Sequence, residues 1–397
     1  MSNLFYDVIV VGAGPAGSWA AWELASLGYR VAVLEQKTAP GMDVCCTGVV
    51  STQCFDSFGI TPGPILTRAN SASFFSPSGR RFRVESEDTQ AYVVDRASFD
   101  REVAGKASAS GATYFFSSRV TDIAIGDEGA RVEMLCGGSG EVFGARAVLL
   151  ASGYRPRLTE KLGLGRIGRF LTGAQAEIEV DGISEAEIYL TQHLAPGSFA
   201  WLVPGSENRT LAGVLARHDA RSLLKHFLLD QFRRGRIADP GKQIRQKPIP
   251  LGILPYTYGD RILVAGDAAG QVKPTTGGGI YFGHLGAGIA ARVLGQALRS
   301  DNLASANLSR YQQQWRQKIG REIRLGYLAR QVYATVSARH VERLFGALHS
   351  GGLAQAVLDS PEFSFDWHSR LLLAGSKYTL AYPWRKAWRT VSREGDL

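Results

Sequence analysis

The chain has 397 residues, 45% of them hydrophobic, a size and composition that suit a globular protein of two domains with an appendage. Its formal charge of +9 comes with no nucleic-acid recognition motif, so a nucleic-acid partner is not expected. No apolar run is long enough to span a membrane, and no leader precedes the first strand, so the expected location is the cytoplasm.

The first predicted element is an apolar strand, Val8-Ile9-Val10-Val11, which runs into Gly12-Ala13-Gly14-Pro15-Ala16-Gly17 and then an alanine-rich helix from Trp19 to Leu27. Gly12 permits the sharp turn, Gly14 clears the approach of a pyrophosphate to backbone N–H groups, and Gly17 lets the helix lie on the strand. A second strand, Arg30 to Leu34, ends at Glu35-Gln36, where an acid can bond an adenosine ribose. Together these make a complete βαβ dinucleotide fingerprint. A loop and short helix over 37–54 follow, then a hairpin from Ser73 to Val84 around Pro77-Ser78-Gly79 that belongs to a second sheet. Tyr92-Val93-Val94 reads as a strand, and a helix runs from Arg96, capped by Asp95, to Ser110. Four strands between Tyr114 and Ala151 read as an antiparallel meander.

Residues 170–250 alternate short strands with a helix near Leu223 to Arg234. In Phe199-Ala200-Trp201-Leu202-Val203 the period of two places Phe199, Trp201 and Val203 on one face, as an apolar wall or an ordinary core strand. The strand Arg261 to Ala265 then leads to Gly266-Asp267, and Thr276-Gly277-Gly278-Gly279-Ile280 opens a helix from Tyr281 to Leu298. An Asp at a strand end can hold a ribityl hydroxyl. Three glycines at a helix start expose donors for negative charge on a reduced flavin.

Residues 6–300 resemble the FAD-dependent oxidoreductases of the p-hydroxybenzoate hydroxylase type, and within them the geranylgeranyl reductase family. The resemblance is carried by Gly12 to Gly17, Cys45-Cys46-Thr47-Gly48, Asp95 to Asp100, Pro196 to Pro204, Gly266-Asp267 and Thr276 to Ile280. It implies an α/β fold: a Rossmann-like, GR2-type FAD-binding domain (1–72, 92–160, 251–300) with an interleaved α+β substrate domain of antiparallel sheet (73–91, 161–250). C-terminal helices (301–397) complete the chain. It further implies FAD held by Gly12, Gly14, Ala16, Gly17, Glu35, Gln36, Gly48, Arg96, Gly266, Asp267, Gly277, Gly278, Gly279 and Ile280, with Cys45, Cys46, Phe199 and Trp201 at the reacting end. Phe199 and Val203 stand where the family has Tyr and Phe, Cys46 where it has Gly, and Ser152-Gly153 where Asp-Gly is common.

The expected reaction is saturation of polyprenyl double bonds, which needs hydride at one carbon and a proton at the other; a buried Cys45 thiol can hold that proton. The other reading of Cys45 is a small buried hydrophobe, the ordinary fate of cysteine. The alternatives are a flavin monooxygenase or halogenase of the same fold, and a flavin-binding redox carrier without chemistry of its own. One dinucleotide fingerprint leaves electrons to arrive from NAD(P)H docking transiently or from a reduced electron-carrier protein. The four cysteines (Cys45, Cys46, Cys54, Cys136) lack metal-site spacing, so no metal is expected. Residues 301–397 hold fourteen Lys and Arg against eight Asp and Glu, a surplus of +6. That surplus is either a solvated face or the means of peripheral attachment to an anionic membrane surface, with Tyr382 to Arg389 as an aromatic and cationic anchor.

Overall fold

The computed structural model describes residues 4–180, 182–206, 209–240, 243–350, 363–370 and 372. A central layer grows from the strand Phe5–Val11, whose run of β-branched residues is stable only with both faces covered. Val8 and Val10 enter a core with the helices Pro15–Ser26 and Ile280–Arg299, while Ile9 and Val11 enter a second core on the other side. The strand pairs in parallel with Val31–Leu34 and with the end of Ser139–Leu150, and Ile262–Val264 extends the sheet in parallel beyond the latter.

Thr113–Phe115, read from sequence as the start of the meander, instead runs parallel to Val31–Leu34. The helix Arg96–Ala109 just before it supplies the crossover that a parallel neighbour requires. The meander itself comprises Ser118–Ile125, Ala130–Cys136 and Ser139–Leu150.

A second, seven-stranded sheet has the order Arg245–Pro250, Phe170–Glu179, Arg209–Ala216, Phe199–Pro204, Ala186–Tyr189, Ser71–Phe75, Arg81–Glu85. Its pairs are antiparallel except Ala186–Tyr189 with Ser71–Phe75. Ala200, Leu202, Ala212 and Val214 pack beneath the helix Ala220–Arg233, so alternation turns Phe199 and Trp201 to the opposite face. A three-stranded sheet of Val49–Ser51, Ala91–Val94 and Ile65–Ala69 completes the strands described.

The helix Ile280–Arg299 owes its path to small residues: Gly283, Gly286, Ala287, Gly288, Ala290 and Ala291 are all buried, which lets it lie close to the Pro15–Ser26 helix. His284 points into this seam, its ring 4.3 Å from that of Trp19 and 4.2 Å from that of Phe58. Its Nδ1 has no hydrogen-bond partner among the described residues, and burial pushes its pKa down to about 4. It is a core residue, kept neutral by its surroundings.

The unfolded imidazole takes up a proton below about pH 6.5, whereas the folded one resists until about pH 4, so the unfolded state binds more protons across that window. Wild-type stability should therefore fall as pH drops from 6.5 to 4, by on the order of 2 kcal/mol from this group. His284→Leu should flatten that part of the curve of urea midpoint against pH; an unchanged slope would remove His284 as its source.

Candidate flavin site

The glycines of the first turn do three different jobs. Gly12 has φ +105°, and a Cβ there would lie 2.6 Å from the Ala151 carbonyl oxygen. A Cβ on Gly17 would run into the carbonyl oxygen of Gly12. Gly14 caps the helix Pro15–Ser26 in extended backbone, and a Cβ on it would meet nothing within 4 Å. Gly12 and Gly17 are needed for packing, while Gly14 keeps the space before a helix N-terminus clear, which is where a phosphate fits. The Glu35 carboxylate accepts from the Ala13 amide (2.8 Å) and the Lys37 amide (2.9 Å), so the acid also ties the turn to the end of the second strand. Gln36 lies between them in the chain.

The remote motif meets this turn through small atoms. Gly266, at φ +69°, has space for a Cβ only 3.2 Å from the Ala16 Cβ. Its amide donates to Gln271 Oε1 (2.8 Å), the Gln271 Nε2 donates to the Tyr311 hydroxyl (2.9 Å), and that hydroxyl donates to the Val264 carbonyl (2.8 Å). All of these bonds are buried, so the turn is rigid. Asp267 lies against the start of the Ile280–Arg299 helix, its Oδ1 2.6 Å from where a Gly279 Cβ would sit. Its Oδ2 pairs with Lys247 Nζ at 2.6 Å, and the carboxylate raises the lysine's pKa.

Strand register brings the rest together. Trp201 faces Gly213, Gly213 faces Gln175, and Gln175 faces Arg245, so these four form one row across the sheet. A Cβ on Gly213 would collide with the Trp201 indole, which therefore lies flat over that strand. The Thr47 hydroxyl donates to Gln175 Oε1 (3.1 Å) and seats the cysteine loop on the row. The adjacent row is Phe199, Leu215, Gly173, Lys247. From it Leu215 and its neighbour Ile249 reach Gly277, 3.4 Å and 3.1 Å from its Cβ position.

The cysteine loop, the aromatic pair, the glycine turn and Asp267 thus share one neighbourhood. Within it Phe199 and Trp201 have ring centroids 5.7 Å apart, and Trp201 Nε1 is buried without a hydrogen-bond partner among the described residues. The Arg330 guanidinium, buried and donating to the Gly197 carbonyl, covers the Phe199 ring at 5.3 Å. Burial lowers its pKa to about 10, against a smaller upward push from Tyr333.

Gly48, at φ +76°, lies against Val94, where a Cβ would collide with the carbonyl oxygen. Arg96 makes a bidentate pair with the buried Asp100 (3.0 and 2.9 Å) and reaches the Cys46 side chain. Cys45 is half-buried; burial, with a smaller push from Cys46, outweighs Lys247, Arg245 and Lys37 and moves its thiol pKa up to about 11. Lys247, Gln175, Gly213, Leu215 and Ile249 were missed in the sequence. The alternation Arg245-Gln-Lys247-Pro-Ile249 marks a strand face but does not say what that face opposes. A cavity of about 570 Å³ between Tyr154, Arg166, Phe170 and Pro248 adjoins this site at Lys247.

The donor set fits a dinucleotide with a flavin end. It has a clear helix N-terminus at Gly14, an acid at a second strand end, a carboxylate beside a second glycine-opened helix, and an indole N–H still lacking an acceptor.

Residues 6–176 match the family model described as pyridine nucleotide-disulphide oxidoreductase. Digeranylgeranylglycerophospholipid reductase 2 of Methanopyrus kandleri is 31% identical over 89% of this chain and 92% of its own length. Reductase 1 of the same organism is 34% identical over 79% and 87%. A geranylgeranyl bacteriochlorophyll reductase-like protein of Thermoplasma acidophilum superposes with TM-score 0.84 at 20% identity, covering 99% of this chain and 100% of that one. A myxobacterial chondrochloren halogenase gives 0.66 at 19% identity, with coverage of 90% and 92%. The fold is that of FAD-binding flavoproteins.

A Cβ at Gly14 meets nothing within 4 Å, so Gly14→Val should cost no more than about 1 kcal/mol of stability, the scale of a helix-cap change. The purified variant should nevertheless be colourless where the wild type is yellow. Full FAD occupancy in the variant would mean the pyrophosphate lies elsewhere.

Proposed function

This chain belongs to the digeranylgeranylglycerophospholipid reductase family, and from that premise we propose that it is an FAD-dependent reductase saturating carbon–carbon double bonds of a polyprenyl group, carried by a lipid or a diphosphate. The observation that carries this reading is the meeting of the cysteine loop, Trp201 and the Gly277 turn on one sheet face, through Thr47–Gln175 and Leu215–Gly277.

Reduced FAD, when bound, supplies the hydride for one alkene carbon. The other carbon needs a proton, and the Cys45 Sγ holds one at neutral pH because burial raises its pKa to about 11. Phe199 and Trp201 offer an apolar surface, which suits an isoprenoid chain and excludes water. The amides opening the Ile280–Arg299 helix add a positive field where negative charge must be accommodated. Arg96, locked by Asp100, fixes Cys46, and Thr47 fixes the other side of the same loop.

A monooxygenase or halogenase is the second reading, favoured by the fold shared with halogenases and by the aromatic pattern from Phe199 to Pro204. For the electron source we propose transient NAD(P)H docking or a reduced carrier protein, since the chain holds one dinucleotide fingerprint. No helix among the described residues is long and apolar enough to cross a membrane. A lipid substrate must still be collected from a bilayer, so we propose that the basic C-terminal region docks on anionic lipid surfaces. The anchor expected at 382–389 lies outside the described residues.

Dithionite-reduced enzyme kept free of oxygen should saturate geranylgeranyl lipids or diphosphates, with flavin reoxidation tracking alkene loss. Product that forms only after oxygen is admitted would favour the monooxygenase. Cys45→Ser should slow turnover by roughly 10²-fold, within the range of a lost acid catalyst, and keep FAD bound. In flotation assays the full chain should rise with anionic vesicles at low salt and lose them as salt is raised. Equal recovery with neutral vesicles would leave the basic region a solvated face.

A further inference from the structure

One buried ion pair is left unused by this reading. Lys273 Nζ lies 2.6 Å from Asp366 Oδ1, with the two side chains 8% and 3% exposed. The other carboxylate oxygen accepts from the Ser51 hydroxyl, which also caps the helix Thr52–Phe58 by accepting from the Cys54 amide (2.8 Å). Ser51 ends the strand that follows the cysteine loop directly.

Lys273 both opens and closes the glycine turn: its amide donates to the Gly278 carbonyl (2.9 Å) and its carbonyl accepts from the Gly277 amide (2.8 Å). Its side chain runs beneath Gly278, where a Cβ would come within 3.0 Å of Cε. Two further contacts bind the same segment to the turn. The Thr275 hydroxyl and His368 Nδ1 lie 2.7 Å apart, and the Trp367 ring packs on Tyr281 and Phe282 at 6.2 and 5.7 Å.

A buried ion pair is a poor source of net stability, because desolvation offsets its attraction and apolar replacements of similar volume do as well or better. What it does supply is geometry. One carboxylate with two engaged oxygens sets the spacing between the element it bonds on each side. We infer that Asp366 is a positioning residue for the flavin site: bonded to both Lys273 and Ser51, it holds the glycine turn and the cysteine loop in register with each other. The inference rests on the flavin reading above.

The test compares wild type, Asp366→Ala and the double variant Lys273→Met/Asp366→Leu by melting temperature, FAD dissociation constant and flavin midpoint potential. Asp366→Ala strands a buried ammonium, so it should melt lower, bind FAD on the order of tenfold more weakly and shift the potential. The double variant leaves no stranded charge and should recover the melting temperature, yet keep the weakened FAD binding and displaced potential. Recovery of all three would make the pair a packing feature only and overturn the inference, as would wild-type FAD affinity and potential in Asp366→Ala. If Asp366→Ala does not fold, the double variant decides alone. A wild-type protein that does not bind FAD would overturn the cofactor reading itself, which this comparison separates from failure of the positioning role.

Discussion

Around the site, backbone packs directly on backbone at several points, among them Gly17 on the Gly12 carbonyl, Gly12 on that of Ala151, Gly48 on that of Val94 and Gly270 on that of Gly252. At each, the neighbour is a carbonyl oxygen fixed in the fold, so no side-chain rotation could make room for a Cβ. The first two bring the first helix onto its sheet, the third brings the cysteine loop to the three-stranded sheet, and the fourth holds the Gly266–Ala269 turn. Every later feature of the site depends on these approaches, because they set the distance at which Ala16 touches Gly266 and Asp267 meets Gly279.

Charge is then distributed unevenly within that frame. Asp267 lies against the start of the glycine-opened helix and is answered by Lys247 from the seven-stranded sheet, so one ion pair ties that sheet to the Gly266–Ala269 turn. Arg96 and Asp100, four residues apart on one helix, form a second buried ion pair. Cys45 sits among these charges, yet its own pKa moves up, which shows that burial outweighs three nearby cations. The result is a thiol held in its protonated form by burial.

The family's usual tyrosine in the aromatic signature is Phe199 here, and it is covered by Arg330 from the helix Arg321–Thr335. A hydroxyl still stands beside that position: Tyr333 donates to the Ser198 carbonyl (3.0 Å). The C-terminal part of the chain therefore bears on the site twice, once through Arg330 over the wall and once through Asp366 under the glycine turn.

Much of this was legible in the chain itself wherever chemistry is local. Gly12 to Gly17 between a β-branched run and an alanine-rich helix can form little but a strand, a tight turn and a helix, and Glu35 follows at the end of the next strand; the same holds for Gly266-Asp267 and the glycines that open the long helix. Alternation alone separated Phe199 and Trp201 from Ala200 and Leu202. What the chain could not reveal is which strand faces which. Local pattern made the Tyr114 segment part of a meander, although it pairs in parallel with Val31–Leu34, because pairing partners are chosen by contacts far apart in sequence. Gln175, Gly213 and Lys247 became site residues only through register across three strands, and Asp366 only because a segment some 90 residues downstream folds back under Lys273. A spacing states what one stretch can do by itself; the partner of a buried charge or the occupant of a glycine's empty space is decided by long-range packing.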